Sequence, residues 1–287
     1  MLEMMGRSLI YKCTINMADD NSARSLTCRF VEGLRPRVLD VGCACGDLGV
    51  AIKANTRAEL YGLELNAESV AIARKSKAYR RVIQINLDDL TVESFPAFTG
   101  KFDYVLCADV LEHLRDPMRT LSILKTYLKP TGHVIASIPN VAHMSIKANL
   151  LVNDFTYTPI GLLDCTHIHL FTHKSIASGL SQIGLAIDQR KFTMHHKTAW
   201  QPNDPYPELP RAIKRFLFKD WHSYVCQYVL RMSPSTKGSS ELEAANRRKL
   251  ALNVKTAPQL IVQYRARLMA ELSPKAECGE GKGQNMI

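Results

Sequence analysis

The 287-residue chain reads as an α/β protein, a doubly wound and mostly parallel sheet with helices on both faces. Three observations predict this. Short apolar runs rich in β-branched residues alternate with helical patterns from residue 37 onward. The first run breaks into a small-residue turn, VLDVGCACGDLG (38–49), that opens straight into a helical pattern. The next run ends in an acid, Glu64, 22 residues beyond Gly42. Parallel strands need long crossovers, and helices are the usual way to supply them.

Strands are expected at 37–41, 59–64, 81–86, 102–109 and 133–139, with helices at 47–55, 67–77 and 117–128. Pro117 opens the last helix, and KPTG (129–132) is a plausible stop. After Pro139-Asn140 the alternation gives way to a long excursion, 141–173. A helix at 174–183 and a strand at 184–192 follow. The Pro- and Asp-rich QPNDPYPELP (201–210) leads into the basic amphipathic RAIKRFLFKDW (211–221) and a final strand, SYVCQYVLRM (223–232). SPSTKGSS (233–240) reads as a linker before a polar helical region, and the tail ECGEGKGQNMI as disordered. The organisation is a helical lead-in (1–36), one domain (37–232) and a basic extension (233–287).

Charge and cysteine usage narrow the function classes. The formal net charge is +10, and residues 211–287 hold 14 Lys/Arg against 6 Asp/Glu, so the body is nearly neutral. Such a basic end suits nucleic acid, an anionic membrane surface or an acidic substrate, or is simply a solvated helical face. Nucleic acid ranks lowest, because aromatic and basic residues interleave only at 211–221. No apolar run reaches the roughly 20 residues that cross a bilayer. The start, MLEMMGRSLIYKC, lacks the parts of a signal peptide, so the expected location is cytoplasmic. The eight cysteines include no CxxC pair, and Cys43-x-Cys45 alone offers a zinc at most two of four ligands.

The turn after the first strand is where an open α/β sheet holds its ligand. A dinucleotide fingerprint fails here: Gly42 and Ala44 fill its first two places, but the third falls on Asp47, which opposes a pyrophosphate. The pattern present is Asp40-x-Gly42-x-Ala44-x-Gly46. A carboxylate at the end of the first strand suits a cationic ligand, and Glu64 stands where an acid accepts from ribose hydroxyls.

These residues resemble motif I of the class I S-adenosylmethionine-dependent methyltransferases. The resemblance extends over residues 10 to 232, with motif order and spacing intact. It implies a Rossmann-like seven-stranded sheet with an antiparallel last strand, and S-adenosyl-L-methionine as cofactor. Asp40, Gly42, Ala44 and Gly46 match the loop holding the cofactor's amino-acid part. Glu64, followed by Leu65, matches the acid on the ribose, and Asn86, Leu87 and Asp88 match the adenine segment. Asp109 and Val110, in FDYVLCADVLEHLRDP, match the residues flanking the cofactor after the fourth strand. Ala44 departs from the glycine many members carry; a position needing positive φ would strain it.

The stretches GLLDCTHIHLFT (161–172), IPNVAHMSIKANLL (138–151) and DWHSYVCQYVLRMSP (220–234) resemble methyltransferases of bacterial surface-polysaccharide gene clusters. That resemblance implies O-methylation of a sugar hydroxyl on a glycan or its lipid- or nucleotide-linked precursor, with 141–173 and 193–222 as substrate-side insertions. The same-fold alternative is O-methylation of a quinone-like or other lipophilic phenol, and a different class is a non-catalytic cofactor-binding scaffold. In-line transfer to a hydroxyl benefits from a general base. His167, oriented by Asp164, is the first candidate and His113 the second. Asp109, Glu112 and His113 also resemble an acid–acid–His arrangement of ubiquinone-pathway O-methyltransferases that has been linked to divalent metal. Glu-His is frequent at this position across the superfamily, so no metal is assigned. Ile213, Phe216, Leu217 and Trp221 can share a face of 211–221, which would permit peripheral contact with the inner membrane.

Overall fold

The computed structural model describes residues 14–194, 208–217 and 219–251. Residues 1–13, much of the 193–222 insertion and the tail lie outside them. The described chain folds into a seven-stranded sheet of order β3-β2-β1-β4-β5-β7-β6. The strands are β1 (Arg37–Val41), β2 (Glu59–Glu64), β3 (Tyr79–Gln84), β4 (Phe102–Ala108), β5 (Leu128–Pro139), β6 (Leu185–Met194) and β7 (Val225–Pro234). β1 to β5 run parallel, and β7 inserts antiparallel between β5 and β6. Connections leave β1 in one direction and β4 in the other, so a crevice opens between their carboxyl ends.

Side-chain alternation along β1 builds two layers. Val38 joins Leu26, Ile52, Leu60, Val70 and Ala73, from α1 (Ala23–Cys28), α2 (Asp47–Asn55), β2 and α3 (Ala67–Lys75). Leu39 and Val41 face the other way, with Leu121 and Leu124 of α4 (Pro117–Lys125) and Leu180 of α6 (His173–Gln182). The same parity puts Asp40 in the α1–α3 layer. Local sequence sets the helix starts. Asn66 accepts the Ser69 N–H, Asp116 accepts the Arg119 N–H ahead of Pro117, and Thr172 closes a capping box with Ser175.

Several expected boundaries move by a few residues, and the expected linker 233–240 holds the end of β7 and the start of a helix at Ser239. The helix at 117–128 ends at Lys125, because β5 starts at Leu128 and takes in the KPTG expected to be a stop. A Cβ at Gly132 would lie 2.8 Å from the Phe102 carbonyl oxygen, so only glycine lets β5 pass β4 this closely. β3 starts at Tyr79, two residues early, which brings Tyr79 into the sheet. The excursion 141–173 holds a helix of its own, α5 (Met144–Leu151), capped by the His143 side chain on Ser145 N–H.

The apolar stripe of 211–221 is divided. Within α7 (Arg211–Leu217), Leu217 is buried while Phe216 is exposed. Trp221 packs edge-on against Phe192 at 5.5 Å. Core packing thus takes two of the four side chains that membrane contact would need. Among the described residues no helix is long and apolar enough to cross a membrane. Beyond β7, α8 (Ser239–Leu250) lies along α6 and β6 and buries Asn246, whose amide bonds the backbone of Ile187 and Leu185.

Candidate active site

The turn between β1 and α2 is held by its neighbour strand and by an acid. The Gly42 and Cys43 N–H groups donate to the Leu63 carbonyl at 2.8 and 3.0 Å. The Ala44 N–H donates to Glu64 Oε2 at 2.9 Å, and the Asn66 N–H to Oε1 at 2.8 Å. Gly42, Ala44 and Gly46 all have positive φ, at 67°, 45° and 90°. The anticipated strain at Ala44 is therefore present, about 1–2 kcal/mol for a left-handed alanine. A Cβ on Gly42 would come within 2.7 Å of Val110 Cγ2, so the first glycine keeps the turn close to the segment after β4. Cys43 Sγ fills the hollow over Gly62, and burial pushes its thiol well above the usual range. The two cysteines are packing groups, both buried.

Asp40 does not face the crevice. It is 1% exposed, and its Oδ2 accepts a 2.5 Å hydrogen bond from the Tyr79 hydroxyl. Burial, with Glu64 adding to it, pushes the carboxyl up to about 7, against the lowering effect of the tyrosine bond. Tyr79 in turn accepts the Gly49 N–H at 3.1 Å. A Cβ on Gly46 or Gly49 would strike the Tyr79 ring at 2.9 or 2.3 Å. Asp40 thus acts from beneath the turn, through a tyrosine that sequence reasoning missed. A lone tyrosine at the start of a strand gives no such signal.

The other expected cofactor residues line the strand ends. Asn86 caps a short helical turn (Leu87–Asp89) by accepting the Asp88 N–H, with Leu87 buried and Leu65 exposed. Asp88 accepts the Arg115 N–H at 2.9 Å, tying the segment after β3 to the loop after β4. Asp109 sits at φ 55°. Ser137 holds it twice, accepting its N–H at 2.9 Å and donating to its Oδ1 at 2.6 Å, and Gln227 Nε2 donates to the same oxygen at 2.7 Å. Ser137 and Gln227 were also missed; the antiparallel insertion of β7 beside β5 brings Gln227 there.

The excursion folds back onto the segment after β4. The Ile168 and His169 N–H groups donate to the Glu112 carbonyl at 2.9 and 3.0 Å. His169 Nε2 bonds the Arg115 carbonyl at 3.0 Å, and His113 Nδ1 the Thr166 carbonyl at 3.2 Å. This places His113 and His167 in edge contact at 4.9 Å. Asp164 meets His167 through the backbone, its carbonyl accepting the His167 N–H at 2.9 Å. The Asp164 Oδ1 accepts from the Thr166 N–H and hydroxyl, while His167 Nδ1 bonds the Leu162 carbonyl at 3.2 Å. The expected orienting pair is replaced by a backbone carbonyl. His167 Nε2 faces inward, 4.0 Å from Glu112 Oε1. Burial and then His113 hold the His167 imidazole below the usual histidine range, so it is neutral at pH 7. Burial and then Asp109 hold the Glu112 carboxyl well above the carboxylate range.

The strand order, the turn anchored on Glu64 and the histidine-bearing segment after β4 define a class I S-adenosylmethionine-dependent methyltransferase. The chain belongs to the methyltransferase domain family, whose model matches residues 17–190. The sequence motifs imply S-adenosyl-L-methionine as its cofactor. The cradle fits it: three positive-φ residues keep the turn free of side-chain bulk, and Glu64 stands at the end of β2. Relatives include the ubiquinone biosynthesis O-methyltransferase of Cronobacter sakazakii. It is 37% identical over 105 residues, 36% of this chain and 42% of the relative. The enzyme of the same name from Actinobacillus pleuropneumoniae serotype 5b is 34% identical over 121 residues, 40% of this chain and 50% of the relative. The chain spans about half the length of the curated relatives it matches. Among solved structures, the YcgJ protein of Bacillus subtilis shares the fold at TM-score 0.51 and 16% identity, over 75% of this chain and 99% of that one.

Proposed function

We propose that the enzyme transfers the methyl group to a phenolic hydroxyl of a small, quinone-like acceptor. The observation that carries this is the sequence similarity to ubiquinone biosynthesis O-methyltransferases. The surface is in keeping with a lipophilic acceptor. Leu150, Leu151, Val152, Phe155, Tyr157 and Ile160 are exposed on the excursion that carries His167. An apolar ring gains from such a surface, whereas a sugar would gain little from it. The polysaccharide-cluster resemblance, which favours a glycan acceptor, covers three shorter stretches, 138–151, 161–172 and 220–234.

The chemistry follows from the chain's own residues. The turn and Glu64 hold the donor, and positioning acceptor oxygen and methyl carbon in line supplies much of the rate. The oxygen must lose its proton as it attacks. That task falls to the Glu112–His113–His167 cluster as a unit, since His167 alone is buried and aimed at Glu112.

The test is transfer from methyl-labelled S-adenosylmethionine to a prenylated catechol and, separately, to lipid-linked glycan. Label in an aryl methyl ether is the expected result. Label in the glycan would overturn the acceptor class, and cofactor binding with no transfer to any fraction would return the scaffold alternative.

A further inference from the structure

We propose that Glu112, His113 and His167 form a binding site for a divalent first-row transition-metal ion, ligated by one carboxylate and two imidazoles. One donor atom from each residue lies within 4.8 Å of the other two. Glu112 is fully buried, and neither of its side-chain oxygens has a hydrogen-bond partner. Two unmatched carboxylate oxygens in the interior are costly, and a cation among them is the usual resolution.

The histidines are already oriented as ligands. His113 Nδ1 meets the Thr166 carbonyl and His167 Nδ1 the Leu162 carbonyl, both at 3.2 Å. A carbonyl can only accept, so both rings carry their proton on Nδ1, leaving the Nε2 lone pairs as donors. That is the outer-shell arrangement that fixes metal-binding histidines. Ligand atoms around a zinc-like ion stand about 3.4 Å apart for bonds near 2.1 Å. The three donors, within 4.8 Å of one another, would draw together by about 1 Å around the ion.

The set is not the acid–acid–His arrangement suggested by sequence. Asp109 Oδ1 is taken by Ser137 and Gln227, and His167, from the excursion, supplies the third ligand. Two imidazoles select a zinc- or iron-like ion over magnesium, which prefers an all-oxygen shell. Three protein ligands leave positions open, and such an ion lowers the pKa of a hydroxyl bound there. This role rests on the phenolic-acceptor reading; the binding of the ion does not.

The test is titration of Co²⁺, Zn²⁺ and Mg²⁺, each alone, into chelator-stripped full-length protein, followed by calorimetry and by visible absorption for Co²⁺. S-adenosylhomocysteine binding by each variant serves as the check of folding. One Co²⁺ per chain is expected, displaced by Zn²⁺, with Mg²⁺ at least about tenfold weaker. Glu112→Gln and His167→Gln should each weaken Co²⁺ by about 100-fold or more, and Asp109→Asn by less than about threefold. If the buried variants fail the folding check, His113→Gln, at a half-exposed position, decides by the same 100-fold criterion. Absence of stoichiometric Co²⁺ binding in the wild type would overturn the site. So would loss of binding in Asp109→Asn with retention in His167→Gln.

Discussion

The Tyr79 hydroxyl donates to the buried Asp40 carboxylate at 2.5 Å while accepting the Gly49 N–H, so one side chain joins β1, β3 and the first turn of α2. The ring occupies the space that Gly46 and Gly49 leave free. The glycine pattern of the turn thus serves an internal support. Tyr79→Phe removes the hydroxyl from two partners and should lower stability by about 1–3 kcal/mol in chemical denaturation. Gly49→Ala, which drives a methyl into the ring, should match or exceed that loss.

Asp40 gives the fold a pH dependence with a definite sign. Its folded-state pKa of about 7 lies above the ordinary carboxylate value, so the native state holds more protons between pH 4 and 7. Its contribution is fully present below about pH 4 and is lost as pH rises through 7. Asp40→Asn should remove that component. The wild-type minus variant difference in unfolding free energy should fall between pH 4 and 7 and stay level above about 8.

His222 carries the opposite sign. Its ring stacks on His173 at 3.5 Å, and its Nδ1 meets the Tyr228 hydroxyl at 2.6 Å. Burial and then His173 push it down to about 3. The native state therefore resists a proton that the unfolded chain accepts near pH 6.5. This contribution is present above pH 6.5 and lost as pH falls toward 3. His222→Gln should flatten the acid limb of the stability profile across that window, measured by denaturant midpoints.

Ala44 sits at φ 45° in a turn whose other two small residues are glycines. Ala44→Gly should relieve strain and raise stability by about 1 kcal/mol, with S-adenosylhomocysteine affinity kept or improved. Gly42→Ala should weaken that affinity at least about tenfold, because its methyl would meet Val110 at 2.7 Å. Equal effects of the two substitutions would contradict the assignment of strain to position 44.

The architecture was legible because period and punctuation agree over the first five strands. β1, β2 and α2 fall at their expected residues, since Gly42 and Glu64 sit at strand ends where chain direction changes. The helix end at Lys125 was not legible, because KPTG reads as a turn, and only the pairing of Leu128 with Phe102 and of His133 with Tyr104 makes it an irregularity inside β5. Within the site, the small residues of the turn were legible from their spacing. Partners brought by tertiary contact were not. Tyr79 reaches Asp40 across 39 residues and Gln227 reaches Asp109 across 118, and no local pattern encodes either. His167 and His113 were both picked out, but only the fold shows Glu112 between them in place of Asp164.

The most direct test of the cofactor cradle is calorimetric titration of S-adenosylhomocysteine into wild type and Glu64→Ala, with NAD as control and circular dichroism to confirm folding. The cradle predicts one micromolar site per chain, weakened at least about tenfold in the variant, and no binding of NAD. Wild type that binds NAD instead, or binds S-adenosylhomocysteine equally well without Glu64, would contradict it.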